Sequence, residues 1–321
     1  MEELIVGVDV GGTQIRAVLA DRKRTVLRRV NTLTPAHEGA QQVTSRIIDC
    51  IEQVLQGIER KRVLGVGVAT AGAVNPRTGI VAKASNIRGF ENWPLRDLLV
   101  QGLQLPVYVG NDANLAALAE HRFGAGQGVD FLIYLTISTG IGAGVIENGK
   151  LLLGANGWAA ELGHVIVDPH GPRCNCGNIG CLQALASGPA IARHAIELLQ
   201  EGKPSLLRAR FEGDPTRITA KEVVEAAQQG DALALEVMQR AAFYLGIGMI
   251  SFIHAFDPEM IIVGGGVSKA GELLFAPVRA LIAERAIAAS QRSVRIVPAA
   301  LGDDVGLIGA IALVLAEAGA A

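Results

Sequence analysis

Apolar and polar positions follow two patterns along the 321 residues, and together these patterns predict a mixed α/β chain. Short runs rich in valine and isoleucine, each ended by glycine or a polar turn, are typical of buried strands. Longer stretches with apolar residues at helical spacing predict the helices between them. The predicted strands are 4–10, 15–20, 26–32, 63–69, 106–110, 131–137, 145–146, 150–153, 260–263 and 294–298. The predicted helices are 40–57, 111–123, 191–200, 221–229, 232–256, 271–289 and 306 onward.

The order strand, glycine turn and hairpin occurs twice, about half a chain apart, which indicates a duplicated α/β unit. In the second copy, Asn148-Gly149 predicts a type I′ hairpin turn. The length of the chain favours two domains. We expect an N-terminal domain at 1–115, a C-terminal domain at 116–304, and a last helix at 305–321 that packs back on the first domain.

Composition and charge narrow the possible partners. Half of the residues are hydrophobic, so a large core can form, and the net charge of −2 argues against a broad nucleic-acid-binding surface. The N-terminus has no signal-peptide pattern, and the apolar stretch 306–318 is too short to span a membrane. The sequence therefore predicts a cytoplasmic protein that binds neither nucleic acid nor membranes.

Three of the four cysteines lie within eight residues and follow a histidine, in the order His164, Cys174, Cys176 and Cys181. One imidazole and three thiolates form a closed tetrahedral set, which is typical of a structural zinc site. The alternatives are a disulfide with spare thiols or a chance cluster, although Cys174 and Cys176 are too close for an easy disulfide. The fourth cysteine, Cys50, lies in a helical pattern and is interpreted as a packed core thiol.

Three glycine turns follow buried strands, at 9–13, 136–144 and 264–267. Such turns let backbone N–H groups approach a phosphate closely, although glycines can also simply end strands. Three turns of this kind, one carrying an aspartate, favour nucleotide phosphates. No G-x-G-x-x-G occurs, which argues against a dinucleotide site, and the P-loop-like segment 144–150 has Leu151 in place of the required serine or threonine.

Two carboxylates are candidates for binding or proton transfer. Asp112 follows a predicted strand at the start of a helix, where it is either a catalytic base or a plain N-cap. The sequence alone favours neither interpretation. Glu161 precedes His164 by about one helical turn, so the metal site is expected to organise a functional pocket.

The turns at 9–13, 136–144 and 264–266 resemble the phosphate-1, phosphate-2 and adenosine motifs of the actin-like ATPase and sugar-kinase superfamily. The signature Glu161-x-x-His164 with Cys-x-Cys-x4-Cys is similar to that of the ROK family (repressors, open reading frames, kinases). The resemblance covers nearly the whole chain and implies a two-domain α/β actin-like fold with an active-site cleft between the domains. ROK repressors carry an added N-terminal DNA-binding domain, and Asp9 leaves no room for it here, so we expect a kinase.

The resemblance implies an ATP-dependent sugar kinase that uses Mg²⁺ and a structural Zn²⁺. It favours Asp112 as the base that accepts the proton of the attacking hydroxyl, and it implies a role for His164 in both the metal site and the sugar site. The implied substrate-binding residues are Gly72, Ser85, Asn86, Asn111, Asp112, Glu161, His164 and Gln183. The implied ATP- and Mg²⁺-binding residues are Asp9, Gly11, Gly12, Thr13, Thr139, Gly140, Gly265, Gly266 and Val267. The implied metal ligands are His164, Cys174, Cys176 and Cys181.

One residue departs from the family pattern: Gln183 stands where a glutamate usually binds the sugar. Glutamine keeps the reach, loses the charge and gains a donor, which changes affinity or substrate preference. We expect glucose phosphorylated at the 6-hydroxyl, with N-acetylmannosamine or N-acetylglucosamine as the alternative. Fructokinase and a non-catalytic sugar sensor are weaker alternatives. The apolar helix at 232–256 predicts a homodimer or higher homo-oligomer.

Overall fold

The computed structural model describes residues 3–84, 86–210, 214, 217–287 and 294–319. The strands are β1 Leu4–Val10, β2 Gln14–Asp21, β3 Val26–Leu33, β4 Val63–Thr70, β5 Ala73–Asn75, β6 Ile80–Lys83, β7 Glu91–Trp93, β8 Val107–Asn111, β9 Leu132–Ile137, β10 Ile141–Glu147, β11 Lys150–Leu151, β12 Met260–Gly264 and β13 Arg295–Pro298. The helices are α1 Ala40–Leu55, α2 Leu95–Leu103, α3 Asp112–Phe123, α4 Leu182–Ala186, α5 Gly188–Gln200, α6 Leu206–Arg210, α7 Ala220–Gln228, α8 Ala232–Phe256, α9 Glu272–Arg285 and α10 Val305–Glu317.

The predicted strands and helices are present, with ends shifted by a few residues. The predicted end of the helix 271–289 lies outside the described residues, and α9 ends at Arg285. The sequence analysis missed helices α2, α4 and α6 and a small antiparallel sheet of order β5-β6-β7. Those three strands have only three or four residues each, too few to show a period-two pattern.

The first large sheet has the order β3-β2-β1-β4-β8. Strand β1 pairs antiparallel with β2 and parallel with β4, and β4 pairs parallel with β8. The register aligns Val10 with Thr70 and Thr70 with Asn111. The carboxyl ends of β1, β4 and β8 therefore meet at one edge of the sheet, where ligands bind in open α/β folds.

The second large sheet has the order β11-β10-β9-β12-β13 and repeats the arrangement of the first. Strands β10 and β11 lie on one side of β9, and β12 and β13, which run parallel to β9, lie on the other. Asn148 and Gly149 both have positive φ, as a type I′ turn requires, so the predicted turn and the predicted repeat are confirmed. The register pairs Gly264 with Thr136, which places two of the glycine turns at the same edge.

The chain divides into two compact units. The first contains 1–128, 144–160 and 300–321, and the second contains 129–143 and 161–299. These bounds differ from the predicted 1–115 and 116–304, because α3 lies wholly in the first unit and 144–160 returns to it. Sequence position did not reveal this return, since the boundary falls inside strand β10 and no linker marks it.

In the first unit, helices cover both faces of the sheet. Apolar residues of β1 alternate between the two faces: Val6 and Val8 pack in a core shared with α1 and α2, while Ile5 packs against α10. Helix α10 also contacts α3, β1 and β4. The C-terminal helix thus belongs to the core that supports the carboxyl edge of the first sheet.

In the second unit, the long helix α8 packs against α4, α5, α7 and α9. Among the described residues, α8 is the one helix long and apolar enough to cross a membrane by length and composition, and 56% of its most apolar window is buried. A buried core helix passes the same test, and the packing of α8 against four other helices accounts for its composition.

Ala160 adopts a left-handed backbone conformation, with φ of 68°. This region costs an L-residue other than glycine about 1 kcal/mol or more. We expect Ala160→Gly to raise the melting temperature, with a net gain of about 0.5 kcal/mol after the greater chain entropy of glycine. Differential scanning calorimetry measures the shift. Ala159→Gly is the matched control, since φ is not positive at Ala159, and it should lower the melting temperature. A lower melting temperature for Ala160→Gly would contradict the assignment of strain.

Candidate active site

Asp9 lies at the end of β1, directly opposite Arg16 of β2. The Arg16 Nη2 and Nε groups donate to Asp9 Oδ2 at 2.5 and 3.2 Å, and both side chains are mostly buried. A Cβ on Gly306 would lie 2.8 Å from Asp9 Cγ, so the carboxylate rests against the first turn of α10. Only glycine permits this approach. The N-terminus of a helix favours acidic side chains, so an aspartate suits this position.

The turn that follows β1 is held by hydrogen bonds to β2 and to the residue after β3. Gly11 N–H donates to Gln14 O at 2.9 Å, and Thr34 Oγ1 donates to Gly11 O at 2.7 Å. Gly12 faces the Asn86 side chain, since a Cβ at Gly12 would lie 3.1 Å from Asn86 Nδ2. The structure thus places Asn86 beside the first glycine turn. Ser85, the neighbouring predicted residue, lies outside the described residues.

Asn111, rather than Asp112, caps helix α3. The Asn111 Oδ1 accepts from Ala113 N and Asn114 N, both at 3.0 Å. Its Nδ2 donates to Gly72 O and to Asp112 Oδ1, also at 3.0 Å. These four bonds use the full donor and acceptor capacity of the carboxamide. The plain N-cap interpretation of Asp112 is therefore wrong, and Asn111 ties Asp112 to the loop after β4.

Asp112 is the first residue of α3 and is partly buried. Burial raises its pKa to about 6, and the charge of Asp9 adds to this shift, while the Ala113 N–H and the Asn111 amide oppose it. Its Oδ1 is taken by those two donors, at 2.8 and 3.0 Å. Among the described residues no donor contacts Oδ2. A carboxylate in this state can accept a proton near neutral pH.

In the second unit, His164, Cys174, Cys176 and Cys181 converge, and their ligand atoms all lie within 4.8 Å of one another. The Cys176 and Cys181 Sγ atoms are 3.7 Å apart, and His164 Nδ1 is 3.7 Å from Cys174 Sγ. Zinc–sulfur bonds of about 2.3 Å give tetrahedral ligands a separation of roughly 3.8 Å. All four cysteines are free, so the disulfide alternative is wrong. The donor set fits zinc.

The thiol pKa values of two cysteines in this cluster are shifted in opposite directions. Burial raises the pKa of Cys181 to about 12, whereas the Asn178 backbone N–H lowers that of Cys176. A buried neutral thiol is a weak ligand, and a bound divalent metal deprotonates a coordinating thiol outright. The Gly177 N–H donates to Cys174 O at 2.9 Å and closes the turn between the first two cysteines. The loop backbone is thus arranged around the ligand atoms.

The residues around this cluster link it to the second glycine turn. Gln183 lies in α4, two residues after Cys181, and its Oε1 accepts from Ile141 N–H at 3.0 Å. A Cβ at Gly140 would lie 2.6 Å from Gln183 Oε1, so glycine is required for this approach. Glu161 is exposed, and its backbone carbonyl accepts from His164 N at 3.0 Å.

The third glycine turn packs against the second. A Cβ at Gly265 would overlap the Ile137 carbonyl at the end of β9, and Ser268 Oγ donates to Gly265 O at 2.8 Å. The Val267 side chain is buried, whereas Gly266 faces open space. A ligand at this turn therefore meets backbone atoms and not the valine side chain. Thr139 is exposed and belongs to the same unit.

The predicted site residues that are described fall into two clusters, one in each unit. Those of the first unit are Asp9, Gly11, Gly12, Thr13, Gly72, Asn86, Asn111 and Asp112. Those of the second unit are Thr139, Gly140, Glu161, His164, Cys174, Cys176, Cys181, Gln183, Gly265, Gly266 and Val267. The sequence analysis missed Arg16, although the hairpin register that opposes it to Asp9 could have indicated it.

The sequence model of the ROK family matches residues 5–317. The chain belongs to the ROK family. A glucokinase from Thermotoga maritima is 38% identical over 310 residues, which are 97% of this chain and 96% of that relative. A xylose repressor from Caldicellulosiruptor bescii is 32% identical, and the match covers 98% of this chain and 78% of the repressor.

A solved ROK family glucokinase from Streptomyces griseus, in complex with glucose and AMPPNP, is 38% identical to this chain. The match covers 96% of this chain and 98% of that one, with a TM-score of 0.81. This ROK protein therefore has the two-domain α/β fold of the actin-like ATPases, which confirms the predicted fold class.

Proposed function

We propose that this ROK protein is an ATP-dependent hexose kinase that phosphorylates glucose on its 6-hydroxyl. The observation that carries the proposal is Asp112, a partly buried carboxylate with a pKa of about 6 and one oxygen left without a donor among the described residues. It lies at the edge where three parallel strands end. The relative from Thermotoga maritima is named glucokinase, and the Streptomyces griseus structure contains glucose and an ATP analogue.

In the proposed reaction, Asp112 Oδ2 accepts the proton of the 6-hydroxyl while that oxygen bonds to the γ-phosphorus and the bond to the β-phosphate oxygen breaks. Asn111 acts as a positioning residue, because its amide holds Asp112 Oδ1 and leaves Oδ2 for the hydroxyl. Asp9 would hold the Mg²⁺ that accompanies ATP, directly or through water. When bound, that ion neutralises phosphate charge.

The proposed contributions of the second unit are binding and orientation. Glu161 and the Nε2 atom of His164 bind sugar hydroxyls, and Thr139 and Gly140 bind phosphates through their N–H groups. Zn²⁺ is proposed to be structural and to be held by His164 Nδ1 and the three cysteines. It would fix the cysteine loop and the orientation of the His164 ring.

The test of the proposal compares glucose with 6-deoxyglucose. Glucose should give ADP and a phosphate ester at carbon 6 by ³¹P NMR. The 6-deoxy sugar should bind and compete with glucose, because it keeps the other hydroxyls, but it should release no ADP above the sugar-free rate. Phosphorylation of 6-deoxyglucose, or of another hydroxyl of glucose, would contradict the proposal.

The pKa of Asp112 sets the expected pH dependence. A base must be deprotonated, so kcat/KM should be flat above about pH 6.5 and fall about tenfold per pH unit below pH 6, where the carboxylate takes up a proton. Initial rates between pH 5 and pH 9 measure this profile. Enzyme held at the lowest pH and returned to neutral pH should recover full activity, which separates titration from unfolding. A value of kcat/KM that stays constant down to pH 5 would contradict the assignment of Asp112 as the base.

A second candidate is an N-acetylhexosamine kinase, and Gln183 favours it. Gln183 Oε1 accepts one bond, from Ile141 N–H, and the NH₂ group makes no hydrogen bond among the described residues, so the side chain offers a sugar two donors and one remaining acceptor site. An NH₂ donor suits the carbonyl oxygen of a 2-acetamido group.

Gln183→Glu should lower KM for glucose by about fivefold, with little effect on kcat. One carboxylate oxygen would keep the bond to Ile141 N–H, and the other would accept from a sugar hydroxyl, with a gain of about 1 kcal/mol for the charged acceptor. The same change should raise KM for N-acetylglucosamine. Steady-state kinetics with both sugars measure the ratio. Gln183→Ala, which loses both bonds, serves as control and should raise KM for both sugars.

The assembly and location also belong to the proposal. Phe243 on α8 is 41% exposed, and Ile247 and Ile250 on the same helix are partly exposed, which supports a homodimer through α8. Light scattering tests it, and a monomer at working concentration would contradict it. The cytoplasmic location and the lack of nucleic-acid or membrane partners stay predictions.

A further inference from the structure

Four alternating charges extend from Asp9 across the first sheet. Asp9 is paired with Arg16, whose Nη1 lies 3.6 Å from Asp304 Oδ1. Asp304 in turn accepts from Arg29 Nη1 and Nη2 at 3.1 and 2.6 Å. The charges of the four groups sum to zero. Arg16 is therefore shared between two carboxylates, and Arg29 offsets the second of them.

The segment that carries Asp304 is anchored by hydrogen bonds to a buried glutamate of α3. Glu120 of α3 is fully buried, and its carboxylate accepts from Ala300 N–H at 3.0 Å and from Leu301 N–H at 2.9 Å. It also accepts from Ala125 N–H at 2.8 Å. The two bonds to Ala300 and Leu301 fix the start of this segment, and the third ties Glu120 to the loop after α3. Asp304 thus has a defined position beside Arg16 before α10 begins.

The Arg16 contact is directed at one oxygen of Asp9. Both Nε and Nη2 of Arg16 reach Oδ2, and among the described residues Oδ1 has no donor. The Arg16 guanidinium offsets the negative charge of Asp9 and leaves Oδ1 without a hydrogen bond from Arg16. A free divalent cation that approaches Asp9 therefore meets a pair with no net charge, whereas a cation already bound to phosphates brings ligands of its own.

We propose that Arg16 is a positioning residue that competes with free divalent cations for Asp9, so that Asp9 binds a free cation weakly and binds the metal–nucleotide complex in preference. This inference rests on the proposed function. Asp304 sets the strength of the competition, because it draws part of the Arg16 charge away from Asp9. A merely structural Arg16 would make no difference to the binding of a free cation.

Electron paramagnetic resonance with Mn²⁺ alone tests the inference on the full chain. Arg16→Met should bind Mn²⁺ about tenfold more tightly than wild type, because a unit positive charge next to the ligand is lost. Its kcat should fall about tenfold, because the carboxylate loses its orientation. The two effects go in opposite directions, which loss of structure cannot produce. Unchanged or weaker Mn²⁺ binding would overturn the inference.

Two further variants complete the experiment. Arg28→Met makes the same substitution on β3, where Arg28 donates to Val54 O and has no contact with Asp9, and it should leave Mn²⁺ affinity unchanged. Asp304→Asn leaves Arg16 to Asp9 alone and should weaken Mn²⁺ binding severalfold. This variant carries the test if Arg16→Met does not fold, and tighter binding by it would overturn the inference.

Asp9→Asn separates this inference from the proposed function. It should abolish Mn²⁺ binding at this position, with and without ADP. If Asp9→Asn binds Mn²⁺ and Mn²⁺-ADP like wild type, the metal role of Asp9 is wrong and both proposals about it fall. If Asp9→Asn loses binding and Arg16→Met does not gain it, the role of Asp9 stands and only the competition by Arg16 is wrong.

Discussion

Asp112→Asn is expected to lower kcat by about 10²- to 10⁴-fold, while glucose and ATP still bind. Asparagine keeps the Oδ1 acceptor for the Ala113 N–H, so helix α3 should be undisturbed. It loses the oxygen that accepts the proton of the attacking hydroxyl. Single-turnover kinetics measure the chemical step, and calorimetry measures the binding of each substrate.

The same substitution should stabilise the fold. The pKa of Asp112 is about 6 in the folded chain, above the value of about 3.9 for an unfolded aspartate. The stabilising effect of a raised pKa is complete below about pH 4 and is lost as the pH rises through 6, so at pH 7.5 the ionised group costs roughly 1–3 kcal/mol. Asp112→Asn should therefore melt at a higher temperature than wild type at pH 7.5.

The control for Asp112→Asn is Asp97→Asn. Asp97 is an exposed aspartate in the first turn of α2, so it has the same chemistry without the burial. It should change neither kcat nor the melting temperature appreciably. If Asp112→Asn keeps more than a tenth of the wild-type kcat, Asp112 is not the base.

Loss of the proposed zinc ion is expected to have the second large effect. Cys176→Ser, or treatment with a chelator, should raise KM for glucose at least tenfold and change KM for ATP much less. Without the ion, His164 loses the bond that orients its ring, and the loop that carries Cys174 and Cys181 loses its closure. The Gly265–Gly266 turn is held by its own contacts with Ile137 and Ser268, which do not depend on the cluster.

Zinc content and steady-state kinetics on the same preparation check this prediction. Wild type should contain one zinc per chain, and Cys176→Ser should contain much less. Cys50→Ala is the control, because Cys50 is a buried thiol of α1 that is outside the cluster. It should retain one zinc and normal KM values. A larger effect on ATP than on glucose would place the metal away from the sugar.

The cluster of His164 and three cysteines was easier to predict from the sequence than the ion pairs around Asp9. The reason is the distance along the chain between the residues that meet. The three cysteines lie within eight residues, so glycine turns alone bring them together. Asp9 and Arg16 are seven residues apart, and the hairpin register had to be known before they could be paired. Arg29 and Asp304 are 275 residues apart, and no local pattern indicates their contact.

For the fold, too, features with a clear local pattern were predicted and those without one were missed. Strands with continuous β-branched runs, such as β1 and β4, were predicted because both of their faces are buried. Helix α2 was missed although Leu95, Leu99 and Leu103 repeat at helical spacing, because no capping side chain marks its start. Helix α7 is equally short and was predicted, and its start carries a capping box at Thr219. The capping of α3 by Asn111 could not be separated from capping by Asp112, because both residues are good caps and they are adjacent.

The measurement that tests the central claim most directly is sugar-dependent ADP release from Mg-ATP by the zinc-loaded protein. The sugars are glucose, mannose, fructose, N-acetylglucosamine and N-acetylmannosamine, each with wild type and with Asp112→Asn. A hexose kinase should release ADP with glucose at a rate far above the sugar-free rate, and Asp112→Asn should abolish the difference. A folded, zinc-containing protein that binds glucose but releases no ADP with any of the sugars would contradict the account and favour a non-catalytic sugar sensor.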